Sequence, residues 1–136
     1  MEVRDVRVKF TSSQEQSGHR DTQSKIVNGK LYERRGAVCL QFRDDMDTEE
    51  IVCVVEVTDA QVVIRRSGAV SSEMTFILGK SEEFRHKNAF GCVYFSMQTK
   101  ELETSVTPES LKLRIVYDLS SNSTVISTNT IMISAS

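Results

Sequence analysis

From Val38 onward, apolar and polar residues alternate with a period of two through one short segment after another, with small polar turns between them. Val38, Leu40 and Phe42 alternate with Cys39, Gln41 and Arg43. Ile51, Cys53, Val55 and Val57 form the next row, followed by Val62, Ile64 and Arg66, and by Met74, Phe76 and Leu78. Phe84 and His86 share a face, as do Val93, Phe95, Met97 and Thr99. The clearest amphipathic run is Leu111, Leu113, Ile115, Tyr117 and Leu119 against Lys112, Arg114, Val116 and Asp118, and Val125, Asn129, Ile131 and Ile133 close the chain. Successive side chains of a strand point to opposite faces, so this rhythm predicts strands with one face buried. Upstream, Val6, Val8 and Phe10 predict a first strand, and Ile26 to Arg34 a second, interrupted near Asn28-Gly29. Residues 11–22 contain no apolar side chain and read as one long mobile loop.

About ten strands joined by hairpin-length turns predict an all-β, single-domain chain, residues 1–136, with an antiparallel up-and-down barrel of about 8–10 strands. Turns are expected at Arg35-Gly36, Asp44 to Thr48, Asp59-Ala60, Ser67-Gly68, Lys87 to Gly91 and Ser120 to Ser123. The one proline, Pro108, marks a turn, and Glu101 to Ser110 is the segment where a helical turn is tolerable. Closing the sheet removes its unpaired edges; a two-sheet sandwich is the alternative.

Composition narrows the function classes. A 136-residue chain buries roughly 68% of its unfolded surface, enough for one core without staples. A formal net charge of −2 gives none of the basic excess that nucleic acid or an anionic membrane calls for. Cys39, Cys53 and Cys92 are odd in number and widely spaced, which predicts buried free thiols rather than a zinc site or a disulfide framework. The alternating, charged N-terminus is unlike a signal peptide, and no apolar run approaches a membrane span, so a reducing cytoplasm is the expected location.

The ordered set Gly29-Lys30-Leu31-Tyr32-Glu33, Gly36 with Phe42 and Asp44, Arg66-Ser67-Gly68, Met74 with Phe76 and Gly79, Phe90-Gly91, Thr99-Lys100, Tyr117 with Leu119, and Asn129 with Ile131 resembles the YwiB-like family of bacterial proteins. The resemblance covers about three quarters of the chain, from Gly29 on. It implies a small calycin-like (lipocalin-like) β-barrel and no reaction, since the family has no assigned one and fold alone does not give function. The family's usual Tyr-x-Thr-Pro-Tyr-Gly loop is replaced here by His86-Lys87-Asn88-Ala89-Phe90-Gly91.

Candidate chemistry lies in polar residues on inward-facing rows. Arg66 shares parity with Val62 and Ile64. A buried guanidinium needs a partner, so Arg66 is an anion hook for a ligand, a structural pair with Glu82, or a strand-end side chain whose head reaches water. His86, Thr99, Tyr117 and Asn129 complete the candidate lining, each with a plain alternative role as a hydrogen-bonded interior group. Asp44, Asp45, Asp47, Glu49 and Glu50 match a calcium loop in composition only and read as a solvated acidic turn. No cofactor or metal is expected. The leading expectation is a barrel that binds a small apolar or amphipathic molecule in its interior. The alternative is a filled barrel acting as a protein-interaction module, with homodimerisation open; an enzyme using Arg66, His86 and Tyr117 is the remaining reading. Interior volume separates the first two, because small barrels either fill their core with side chains or hold one small ligand.

Overall fold

The computed structural model describes residues 2–45 and 49–136. Ten strands follow one another: β1 (Arg4–Gln16), β2 (His19–Arg34), β3 (Ala37–Arg43), β4 (Ile51–Val57), β5 (Val62–Gly68), β6 (Ser71–Phe76), β7 (Ser81–Asn88), β8 (Gly91–Val106), β9 (Leu111–Ser121) and β10 (Thr124–Ala135). Each pairs antiparallel with its neighbours in sequence, and β1 pairs with β10, so the sheet closes into a barrel. The barrel expected from the rhythm is therefore the fold. Among the described residues, no helix is long and apolar enough to cross a membrane.

The inward rows meet in one contiguous core that includes Val8, Phe10, Leu40, Phe42, Val55, Ile64, Phe76, Met97, Ile115 and Ile133. Phe10 and Phe42 pack with ring centroids 5.9 Å apart, and Phe76 and Tyr117 at 5.1 Å. These aromatic pairs bridge strands that are not neighbours, so side chains occupy the middle of the barrel. Five open clefts lie on the outer wall and at the ends, lined by neither Arg66 nor Tyr117.

Several segments depart from the sequence reading. Residues 11–22 are not a loop: β1 and β2 stay in register out to Gln16↔His19 and turn through Ser17-Gly18, both at positive φ (53° and 79°). That two-residue turn matches the twist of the flanking strands. The hairpin reaches beyond the core with both faces exposed, and hydroxyl pairs replace apolar ones across it, Thr11 with Ser24 (3.1 Å) and Ser13 with Thr22 (3.0 Å). β2 is not interrupted at Asn28-Gly29. Gly29 is instead a point of close approach, where a Cβ would lie 2.7 Å from the Val8 side chain and 2.9 Å from the Gln41 carbonyl oxygen. Glu101 to Val106 holds no helical turn but continues β8, and the chain reverses over Thr107 to Ser110.

Two bulges adjust which side chains face in. One between Thr99 and Glu101 leaves Lys100 outside the pairing register, and its Nζ lies 2.9 Å from Asp118 Oδ2. Burial pushes Asp118 up, but the bonds from Lys100 and Thr128 outweigh it and hold the carboxyl below its usual range. The other, between Val125 and Ser127, reverses the parity upstream of it: Ser127 stays buried on the row of Asn129 and Ile131, while Val125, which the two-residue count puts on that same row, is exposed. The wall is least continuous between β6 and β7, whose register is limited to Ser71↔Lys87 and Ser72↔His86.

Gly29→Ala should lower stability by about 1–3 kcal/mol, because the added methyl meets backbone as well as a side chain. Urea unfolding checks this; an unchanged midpoint would show that the β1–β2–β3 contact has room to spare.

Candidate functional site

The turns between β1 and β2, β3 and β4, β5 and β6, β7 and β8, and β9 and β10 gather at one end of the barrel. Arg66 lies near this end of β5. Its cross-strand partners are Cys53 on β4 and Ser72 on β6, and Ser72 in turn pairs with His86 on β7. Four inward-facing residues thus form one row along the rim. Thr99, Tyr117 and Asn129 form a second row across β8, β9 and β10. Glu82, opposite Met97, is half-buried on the inward face of β7.

Arg66 is paired, but not with Glu82. Its Nη2 lies 3.3 Å from Asp44 Oδ2, while Lys25 Nζ holds the other carboxylate oxygen, Oδ1. The expected Glu82 partnership is thereby corrected. Of the acidic turn, Asp44 is corrected, its side chain only 12% exposed against 28% for Arg66 and 34% for Lys25, while Asp45, Glu49 and Glu50 are exposed as expected. Asp44 shares parity with Leu40 and Phe42, so it starts inward just past the end of β3. Asp45 accepts the Ile51 backbone N–H (2.9 Å), which holds its carboxyl below the usual range. Asp47 lies outside the described residues.

The result is a two-cation, one-carboxylate staple joining β2, the β3 end and β5. Arg66 Nε is buried without a hydrogen-bond partner. Burial pushes the Cys53 thiol up to about 11, against a smaller lowering from the Arg66 guanidinium. Burial likewise raises the Tyr117 phenol, again opposed by Arg66. An activated nucleophile needs the reverse, a group driven toward its anion, so Cys53 and Tyr117 sit here as neutral packing groups. Thr99 is anchored through its backbone, accepting from Gly79 N–H (3.0 Å) and donating to Lys80 O (3.1 Å). Asn129 Nδ2 donates to Ser127 Oγ at 2.9 Å.

Strand parity alone marks Arg66, His86, Thr99, Tyr117 and Asn129 as facing inward. The same parity also turns Lys25 inward, with Val27, and Asp44, with Phe42, a signal that the sequence reading of a mobile loop followed by an acidic turn passed over. Cys39 and Cys53 are buried as expected; Cys92 is exposed, because it lies where β7 and β8 extend past the core.

Fold and rim together define a small closed antiparallel β-barrel with a contiguous apolar core and an ion-paired mouth. The chain belongs to the family described as a domain of unknown function, DUF1934, whose model matches residues 8–133. It is 26% identical over 105 residues to the uncharacterised β-barrel protein YwiB of Bacillus subtilis (strain 168), covering 77% of this chain and 74% of that one. The crystal structure of the Bacillus subtilis ywiB protein superposes with a TM-score of 0.89 at 22% identity, over 98% of this chain and 91% of that one, a likeness that establishes the fold alone.

Asp44→Ala should cost more stability than Arg66→Met, because it strands two cations whereas Arg66→Met leaves Asp44 with Lys25. Partial exposure screens the pair, so about 2–3 kcal/mol is expected for Asp44→Ala and about half that for Arg66→Met. Chemical denaturation of both variants decides it; an inert Asp44→Ala would remove the staple from the account. In thiol labelling at neutral pH, one cysteine, Cys92, should react at once and the other two only on unfolding. Fast modification of Cys53 would contradict its burial.

Proposed function

We propose that the chain acts as an interaction module: a filled barrel that recognises a protein partner with its outer surface, through the β7–β8 hairpin. The observation behind this reading is the apolar exposure at the hairpin tip. Phe90 is 97% exposed, Tyr94 69% and Val93 50%. Below them Phe84 and Phe95 stack, with centroids 5.5 Å apart, and give the projecting hairpin a stiff base. Exposed aromatic side chains grouped on one element are what partner-binding hot spots are made of, and leaving them in water is unfavourable in a free monomer.

The packing of the interior supports this reading over an interior ligand. Phe10, Phe42, Phe76, Met97 and Tyr117 take up the space that a guest would need. The Arg66–Asp44–Lys25 staple then serves to hold the mouth rather than to wait for a ligand.

A photo-crosslinking amino acid in place of Phe90, introduced in the native cells, should give one discrete covalent adduct. The same probe at Val125, also exposed, should not. An adduct of twice the chain mass would identify the partner as a second copy. Equal, diffuse labelling from both positions, or none, would overturn the proposal.

A further inference from the structure

The outer wall carries a second feature, separate from the β7–β8 hairpin. A cleft of about 570 Å³ lies across the outer faces of β8, β9, β10 and β1. In register, Ser134 on β10 is the Cα partner of both Lys9 on β1 and Lys112 on β9. With strands about 4.8 Å apart, the two lysines stand roughly 10 Å from one another on either side of Ser134. Among the described residues neither has an acidic partner, so both ammonium groups are free.

The neighbouring row supplies an apolar floor. Met132 is 48% exposed between Thr11 and Arg114. Arg114 is already engaged, with Nη1 3.1 Å from Glu101 Oε1, and Glu103 lies beyond it in register. The cleft is therefore uneven in charge: two free ammonium groups on one row, and on the next a methionine beside an arginine already matched by the carboxylates of Glu101 and Glu103. This local positive pair stands out on a chain whose formal net charge is −2.

We propose that this cleft binds a single-chain anionic amphiphile. Its head group lies between Lys9 and Lys112 over Ser134, and its hydrocarbon lies on Met132, pointing toward the Arg114 side. The cleft volume is in the range of small-molecule sites. Charge complementarity selects an anion, because a head group over Ser134 is within reach of both ammonium groups and is attracted by each, whereas a cationic or neutral head is not. The apolar floor selects a molecule with a chain over a bare anion.

Methionine-methyl NMR with decanoate, decanol, decyltrimethylammonium and inorganic phosphate as probes tests this on the intact chain. The Met132 methyl, assigned with Met132→Leu, should shift saturably with decanoate below its micelle-forming concentration. Decanol and phosphate should each bind at least about tenfold more weakly, and decyltrimethylammonium should leave the signal in place. The Lys9→Gln/Lys112→Gln double variant should lose about tenfold or more in decanoate affinity, whereas Lys30→Gln, whose lysine already pairs with Asp5, should not. Equal binding of decanoate and decanol, equal binding of the cation, phosphate binding as tight as decanoate, or an indifferent double variant would each overturn the proposal. All four substituted side chains are at the surface, so a folding failure does not mask the outcome.

Discussion

The contact on which the rest of the molecule depends is the ladder between β1 and β10, from Val8↔Ala135 to Glu15↔Thr128. Every other pairing in the barrel joins consecutive strands, and each could form as a local hairpin. Only β1–β10 must bring together segments from opposite ends of the sequence, at the full entropy of closing that loop. In return it converts a curled ten-strand sheet with two unpaired edges into a wall with none. It also completes the core, because Val8 and Phe10 meet Ile133 and Ile131 across this ladder and its diagonals. A fold whose decisive contact is the most distant one in sequence forms late and cooperatively.

Where one face of a strand is buried and the other wet, the chain announces it. The first halves of β1 and β9 alternate buried and less buried positions as their sequences alternate, and the barrel is legible from them. The signal fails where its physical cause is absent. The outer half of the β1–β2 hairpin has water on both faces, so no hydrophobic alternation is required, and residues 11–22 looked like a loop. It fails again at the Val125 bulge, where one extra residue reverses the parity count. For the rim, parity correctly turned Arg66 inward but could not name its partner. Which carboxylate meets the guanidinium depends on how β2, β3 and β5 are placed around the circumference. That is a property of register and closure, and Glu82 and Asp44 are equivalent choices until both are known.

The distribution of polar groups tells the same story from the functional side. Inside, polar atoms mostly serve other polar atoms or the backbone: Asp44 takes Lys25 and Arg66, Asn129 takes Ser127, and the Thr99 backbone takes the turn before β7. Outside, there are exposed aromatic side chains at Phe90 and Tyr94 and, at Lys9 and Lys112, ammonium groups with no acidic partner among the described residues. The uncovered groups of this barrel thus lie on its exterior, carried by strands that pack on a contiguous apolar core.

The sparse register between β6 and β7 gives the wall a directional weakness. Over Glu73 to Phe76 the two strands share a turn at one end, where Lys80 N–H bonds Ile77 O at 2.9 Å, and two paired residues at the other, with no ladder between. Such a stretch is a zipper with both ends fastened and the middle undone. The upper fastening is Ser72↔His86, and the next residue along that row is Arg66, held by Asp44. The ion pair at the mouth thus stands one strand away from this short seam. With two paired residues against eight at the β1–β10 closure, β6–β7 is the line along which the wall has the fewest backbone bonds to break, so the core is least fastened sideways.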